Sequence, residues 1–156
     1  MNHCCHKPCP PEPAPPESIN FYAQYGAYSN DAAGTDINFF PVFQEGSEIQ
    51  LENDTTILLS PGYLYLIDFI FLATPGASGY MQILPFINGT PRLLYSFFAP
   101  AGAEKNTSAS GSFTTNEALA SEARLTFRLS YSSSTGNIDL SGAVSVTPLQ
   151  AVRPSL

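Results

Sequence analysis

Between Ala123 and Tyr131 the chain reads ARLTFRLSY, with Leu125, Phe127, Leu129 and Tyr131 on one parity and Arg124, Thr126, Arg128 and Ser130 on the other. Side chains alternate across a strand with period two, so this stretch can bury one clean face only as an extended strand. Comparable runs recur at a spacing of roughly ten residues, divided by turn residues, which is the rhythm of a sandwich or barrel. Phe21, Ala23, Tyr25 and Ala27 alternate with Tyr22, Gln24 and Tyr28, and INFFPVF and EIQLE follow. ILLSPGYLYLIDFIFLAT reads as a short strand, a Pro61-Gly62 turn and a long strand apolar on both parities, a pattern that predicts an interior position in its sheet. GYMQILPFING, PRLLYSFFA and TSASGSFTT continue the series as strands. In NIDLSGAVSVTPL, Ile138, Leu140, Val144 and Val146 oppose Asp139, Ser141, Ser145 and Thr147. About ten antiparallel strands without a helical stretch predict two packed sheets in one all-β domain, most simply a jelly-roll sandwich.

With 156 residues, 44% of them hydrophobic, such a domain can bury a sufficient core without disulfide staples. A net charge of −7 with only six Lys and Arg leaves no basic face for nucleic acid or anionic lipid. The longest apolar run, Gly62 to Ala73, is too short to span a bilayer and carries Asp68. No apolar segment of the secretory-leader kind stands near Met1, so a surface location would be reached without a standard signal peptide.

Residues 1–18 have a different composition. Cys4, Cys5 and Cys9 all lie there, together with Pro8, Pro10, Pro11, Pro13, Pro15 and Pro16. Closely spaced prolines fix φ and remove backbone donors, which predicts an extended, polyproline-like arm. The expected organisation is a connector arm over 1–18, a jelly-roll domain over 19–149 and a tail over 150–156. An arm of about 17 residues spans up to roughly 55 Å, against a diameter of about 37 Å for a domain of this size, so it can reach a neighbouring molecule. Residues 19–156 contain no cysteine. Disulfides of Cys4, Cys5 and Cys9 are therefore expected to join arm to arm or arm to an outside partner, and an odd number of thiols points the same way. Together with His3 and His6 the same cysteines could offer soft-metal ligands, but their spacing matches no closed zinc motif and adjacent Cys4 and Cys5 are awkward ligands for one ion. No metal or cofactor is expected.

The succession of I-x-L-x-x-x-x-x-I-L-L-S-P-G-Y-L-Y-L-I-D-F, ING-T, TSASGSF, LTFRL and the closing IDLSGAVSVTPL resembles the trimeric jelly rolls of the complement globular-head and tumour-necrosis-factor-like class. Within that class it is similar to the C-terminal domains of bacterial exosporium collagen-like glycoproteins and related spore-surface proteins. Where those proteins carry a G-x-y repeat, this chain carries the Cys and Pro arm. The resemblance covers residues 19 to 149 and implies a homotrimer on a spore surface. Coupled through its arms, such a trimer would be the structural subunit of a surface layer or fibre, with a spore-coat anchor protein as a further partner. The alternative it implies is a receptor-like or lectin-like binding head at a fibre tip. Some of Tyr22, Phe39, Phe40, Phe43, Phe97, Phe98 and Phe113 are expected to line the threefold axis.

Three further features were candidates for chemistry. Asp68, among Leu66, Phe69 and Ile70, reads as a buried carboxylate paired with an Arg or a Tyr hydroxyl, with catalysis or an ion as the sharper alternative. Arg124 and Arg128 share a polar strand face and are expected to be solvated or bridged to Glu122 or Asp139, with an acidic or sugar ligand as the alternative. The sequons at Asn53, Asn88 and Asn106 read as turn residues, Asn88-Gly89 being a favoured hairpin dipeptide. Both histidines and all cysteines precede residue 10, so the folded part cannot assemble a Ser-His or Cys-His pair, and no enzymatic activity is expected.

Overall fold

The computed structural model describes residues 19–74, 79–101, 106–131 and 136–151. The arm with Cys4, Cys5, Cys9 and its prolines lies outside them. The strands are β1 (Tyr22–Asp31), β2 (Phe40–Glu45), β3 (Ile49–Asn53), β4 (Thr56–Leu59), β5 (Tyr63–Ala73), β6 (Gly79–Ile87), β7 (Thr90–Pro91), β8 (Phe97–Ala101), β9 (Thr107–Thr114), β10 (Ala123–Tyr131) and β11 (Ile138–Ala151). One sheet has five strands in the order β2-β1-β11-β5-β9. The other has six, β3-β4-β10-β6-β7, with β8 sharing the free edge of β6 with β7. Every ladder is antiparallel, and the chain crosses between the sheets at β2–β3, β4–β5, β5–β6, β8–β9, β9–β10 and β10–β11, in the manner of an all-β jelly-roll sandwich.

The alternation read from the sequence is the alternation of burial. In β10, Leu125, Phe127 and Leu129 are fully buried while Arg124 and Arg128 face water. Phe127 is the hub of the core, with ring centroids 5.3 Å from Phe69, 5.8 Å from Phe71 and 5.9 Å from Phe39. Aromatic pairs at these separations add about 0.5–1.5 kcal/mol each beyond area burial. Turn chemistry sets the connections. Asn88 (φ 51°) and Gly89 (φ 73°) both occupy the left-handed region that a two-residue hairpin demands, and the Asn88 carboxamide accepts from the Arg124 amide at 2.8 Å. Asn53 accepts from the Thr55 amide, and Asn106 from the Thr74 hydroxyl, so all three sequon asparagines serve turns or loop contacts.

Two expectations are corrected. PRLLYSFFA is not one strand: β7 stops at Pro91, and Leu93–Tyr95 form a single 3₁₀ turn before β8. The Arg92 amide still donates to the Pro85 carbonyl at 2.8 Å, but Pro85 has no amide to return the bond, and the pairing ends there. Of the aromatics among which some were expected at a threefold axis, Phe39 and Phe113 lie in the core instead.

Candidate functional site

The two outer faces of the sandwich differ in kind. On the six-stranded sheet, charged side chains are paired and cover the apolar surface. Arg124 makes a two-pronged contact with Glu52, at 3.0 and 2.8 Å, and lies 3.8 Å from Glu122. The Arg124 guanidinium holds the Glu52 carboxyl below the usual carboxylate range. Arg128 donates to Asp36 at 2.9 Å and places its guanidinium 4.7 Å from the Phe86 ring centroid. The expected bridge to Glu122 is thus secondary and that to Asp139 is replaced by Asp36, which a bridge between Asp36 and Arg128 brings alongside β10.

The outer face of the five-stranded sheet carries a bare apolar field. Its register defines cross-strand rows. One runs Phe40, Gly26, Ala143, Ile70, Ser110 from β2 to β9, and the next runs Tyr28, Ser141, Leu72, Ser108. Ile70 is 56% exposed in the middle of a strand paired on both sides, and Leu72, Phe40, Val42 and Phe43 are exposed as well. The small residues Gly26, Ala143 and the β9 serines keep the field low beside them. A Cβ on Gly26 would stand 2.6 Å from the Phe40 ring, so glycine is what lets that ring lie over β1. Val42 is the extra residue of a bulge between Gln24 and Tyr25, which turns both Val42 and Phe43 toward the same side.

Asp68 stands inside this field, in the row Phe43, Gln24, Ser145, Asp68, Ser112. The row is polar at its centre: Ser145 Oγ accepts from Tyr22 Oη at 3.2 Å and from Gln24 Nε2 at 3.4 Å. The expected pairing of Asp68 with an Arg or Tyr is not found among the described residues. Its parity turns it away from the core, where Ile67 and Phe69 point, so it is half-exposed rather than buried.

A second exposed apolar patch lies on the 3₁₀ turn. Leu93 and Leu94 are 68% and 91% exposed, while Tyr95 stacks on Phe113 of β9 with centroids 5.0 Å apart and donates to Asn116 at 3.3 Å. The turn therefore sits beside the edge strand of the five-stranded sheet. Arg92, at its head, has Nε buried without an acceptor.

Tyr25 and Tyr65 lie within the sandwich. Burial pushes the Tyr25 phenol up to about 12 and that of Tyr65 higher still. Both therefore stay neutral at ordinary pH. Among the described residues no three His, Cys, Asp or Glu side chains gather to hold a metal, and no helix is long and apolar enough to cross a membrane. The first described residue, Ile19, and the last, Ala151, lie at the same end of the sandwich, around a hollow that Phe21 and Tyr63 also line.

No protein-family model matches the sequence, and no curated protein does. Among solved structures the chain is similar to the globular domain of zebrafish complement 1qA protein, with a TM-score of 0.51 and 9% identity over 83% of this chain and 98% of that one. It is also similar to PRD1 vertex protein P5, with a TM-score of 0.50 and 12% identity over 88% of this chain and all of the other, 100%. At such identities the likeness establishes the jelly-roll fold and nothing of what the chain binds.

Proposed function

We propose that the chain is a non-enzymatic, homotrimeric jelly-roll head, with the bare face of the five-stranded sheet turned inward at the subunit contacts and the charged six-stranded sheet turned outward. The observation that carries this reading is Ile70, exposed amid an apolar field, on a molecule whose opposite sheet carries the ion pairs of Arg124 and Arg128. Contiguous apolar faces of this kind on stable domains mark protein contacts. Three subunits, rather than two, come from the resemblance to the complement-head class. Such a head presents its outward sheet and its loops as a receptor-like or lectin-like binding surface. Its setting in this proposal is the tip of a surface fibre on a bacterial spore, with the extended arm over 1–18 as the connection to the fibre or to a coat anchor.

A second reading, a structural fibre subunit, is favoured by the arm itself. Cys4, Cys5 and Cys9 at the far end of a proline-rich spacer are suited to covalent coupling of one trimer to the next. A head-to-tail coupling of that kind propagates as a filament. Negative-stain microscopy of the full-length protein beside a variant lacking residues 1–17, with reduced and non-reduced gels, separates the two. Discrete trimers in both samples support the binding head. Filaments in the full-length sample alone, with reducible ladders, establish the fibre subunit instead.

A further inference from the structure

The bare sheet face has a patch of matching chemistry on the same molecule. Resting on the trimer reading, we propose that the Arg92–Tyr95 turn of each subunit docks onto the five-stranded sheet of the next. Leu93 and Leu94 then cover part of the β5 apolar strip, and the Arg92 guanidinium meets the Asp68 carboxylate of the neighbouring subunit.

Charge accounting supports the pairing. The described cationic side chains are Arg92, Arg124 and Arg128. Arg124 is held by Glu52 and Arg128 by Asp36, whereas Arg92 has no ion pair among the described residues and its Nε lacks an acceptor. Of the carboxylates on this sheet face that have no described cation beside them, Asp68 lies between Leu66 and Ile70 on β5, whereas Glu45 and Asp139 lie toward the ends of their strands. Covering that field leaves an unpaired carboxylate desolvated, a cost that a guanidinium brought by the partner offsets.

Geometry supports it as well. The two patches are unlike and lie on different sides of the subunit, one on a sheet face and one beside its edge strand. A contact between unlike patches is heterologous, the kind that forms a ring when its rotation closes, as three subunits related by a threefold require. Rotation leaves height along the axis unchanged. For strands running along that axis, Asp68 is level with Ser112, and Tyr95 stacks on the adjacent Phe113 while its hydroxyl reaches Asn116, which puts the turn within a few strand residues of the carboxylate in height.

The test is sedimentation velocity of the full-length protein in reducing buffer, with folding checked by circular dichroism. Its variants are Leu94→Asp, Arg92→Glu, Asp68→Lys and the double exchange Arg92→Glu with Asp68→Lys. The wild type is expected to be a trimer, each single variant to raise the concentration at which it dissociates by roughly tenfold or more, and the double exchange to recover most of the loss. Trimers of wild-type strength for both Leu94→Asp and Arg92→Glu would overturn the contact while leaving the trimer standing. A wild type that is monomeric throughout would remove the trimer reading and this contact with it. Because Asp68→Lys can disturb folding, p-benzoylphenylalanine at position 94 gives an independent readout. Photolysis should link it to the peptide spanning residues 64–72 of another copy. Links confined to other segments, or none between copies, would contradict the proposal.

Discussion

A Cβ on Gly142 would collide with the Ile70 carbonyl oxygen and stand 2.5 Å from Phe71 Cδ1. The position points inward, on the parity of Leu140 and Val144, and Phe71 fills the space that a side chain would need. Gly142→Ala should therefore destabilise the domain by about 1–3 kcal/mol through overpacking, read as a lowered urea midpoint. That constraint was not legible in IDLSGAVSV, where glycine reads as a gap in the alternation rather than as the seat of a ring from the next strand. Tyr25 carries a second residue-scale prediction. Its phenol ionises near 10 when unfolded and is raised to about 12 by burial. The folded state thus holds its proton more tightly, so stability is fully present below about pH 10 and is lost as pH rises toward 12. Thermal melts across that range should show a falling midpoint, and Tyr25→Phe should flatten the fall. Asp68 shows the limit of local reading: its apolar sequence neighbours suggested burial, but strand parity puts it on the outer face with Leu66 and Ile70, between Ser112 and Ser145 of the flanking strands.

For strand elements, apolar parity predicted structure well and meaning less well. β10 was legible in full because one parity is apolar and the other polar, and its burial follows that division residue by residue. β5 is apolar on both parities, and an interior position was the expected reason. The strand is indeed paired on both sides, by β11 and β9, yet only Tyr65, Ile67, Phe69, Phe71 and Ala73 enter the core. Its second apolar parity, Ile70 and Leu72, faces outward. A strand buried by a second layer of its own chain and one buried by another subunit carry the same residue pattern, so sequence alone does not separate them. The LLY turn was missed for a related reason. Two leucines before a tyrosine read as strand, whereas Pro85, with no amide to return the bond it accepts from Arg92, ends the ladder first. At this scale the ion pairs on the other sheet predict little loss on removal. Arg124 and its partners are exposed, so Arg124→Ala should leave the thermal midpoint nearly unchanged near neutral pH. Glu52, held low by Arg124, adds a contribution present above the usual carboxylate range and lost as pH falls through its lowered pKa. The Arg124→Ala variant should therefore differ least from wild type in acid.

For the whole molecule, the jelly roll was legible because strand spacing and turn dipeptides constrain topology jointly, and the likeness to the complement head and the PRD1 vertex protein agrees with it. Assembly was less legible. The aromatics expected at a threefold axis divide between locations: Phe39 and Phe113 are buried within the subunit, while Phe40 and Phe43 are exposed beside the apolar field. The field itself depends on register, which brings Ile70, Ala143, Gly26 and Phe40 into one row from four separate stretches of chain. The central claim is that this face is the subunit contact, and size-exclusion chromatography with light scattering on wild type and Ile70→Asp, in reducing buffer, tests it most directly. A new carboxylate on an exposed strand position leaves the core untouched but would be desolvated at the contact. The account predicts a wild-type mass of three subunits and a folded Ile70→Asp variant at the mass of one. A wild-type monomer, or an Ile70→Asp variant that remains trimeric, would contradict it.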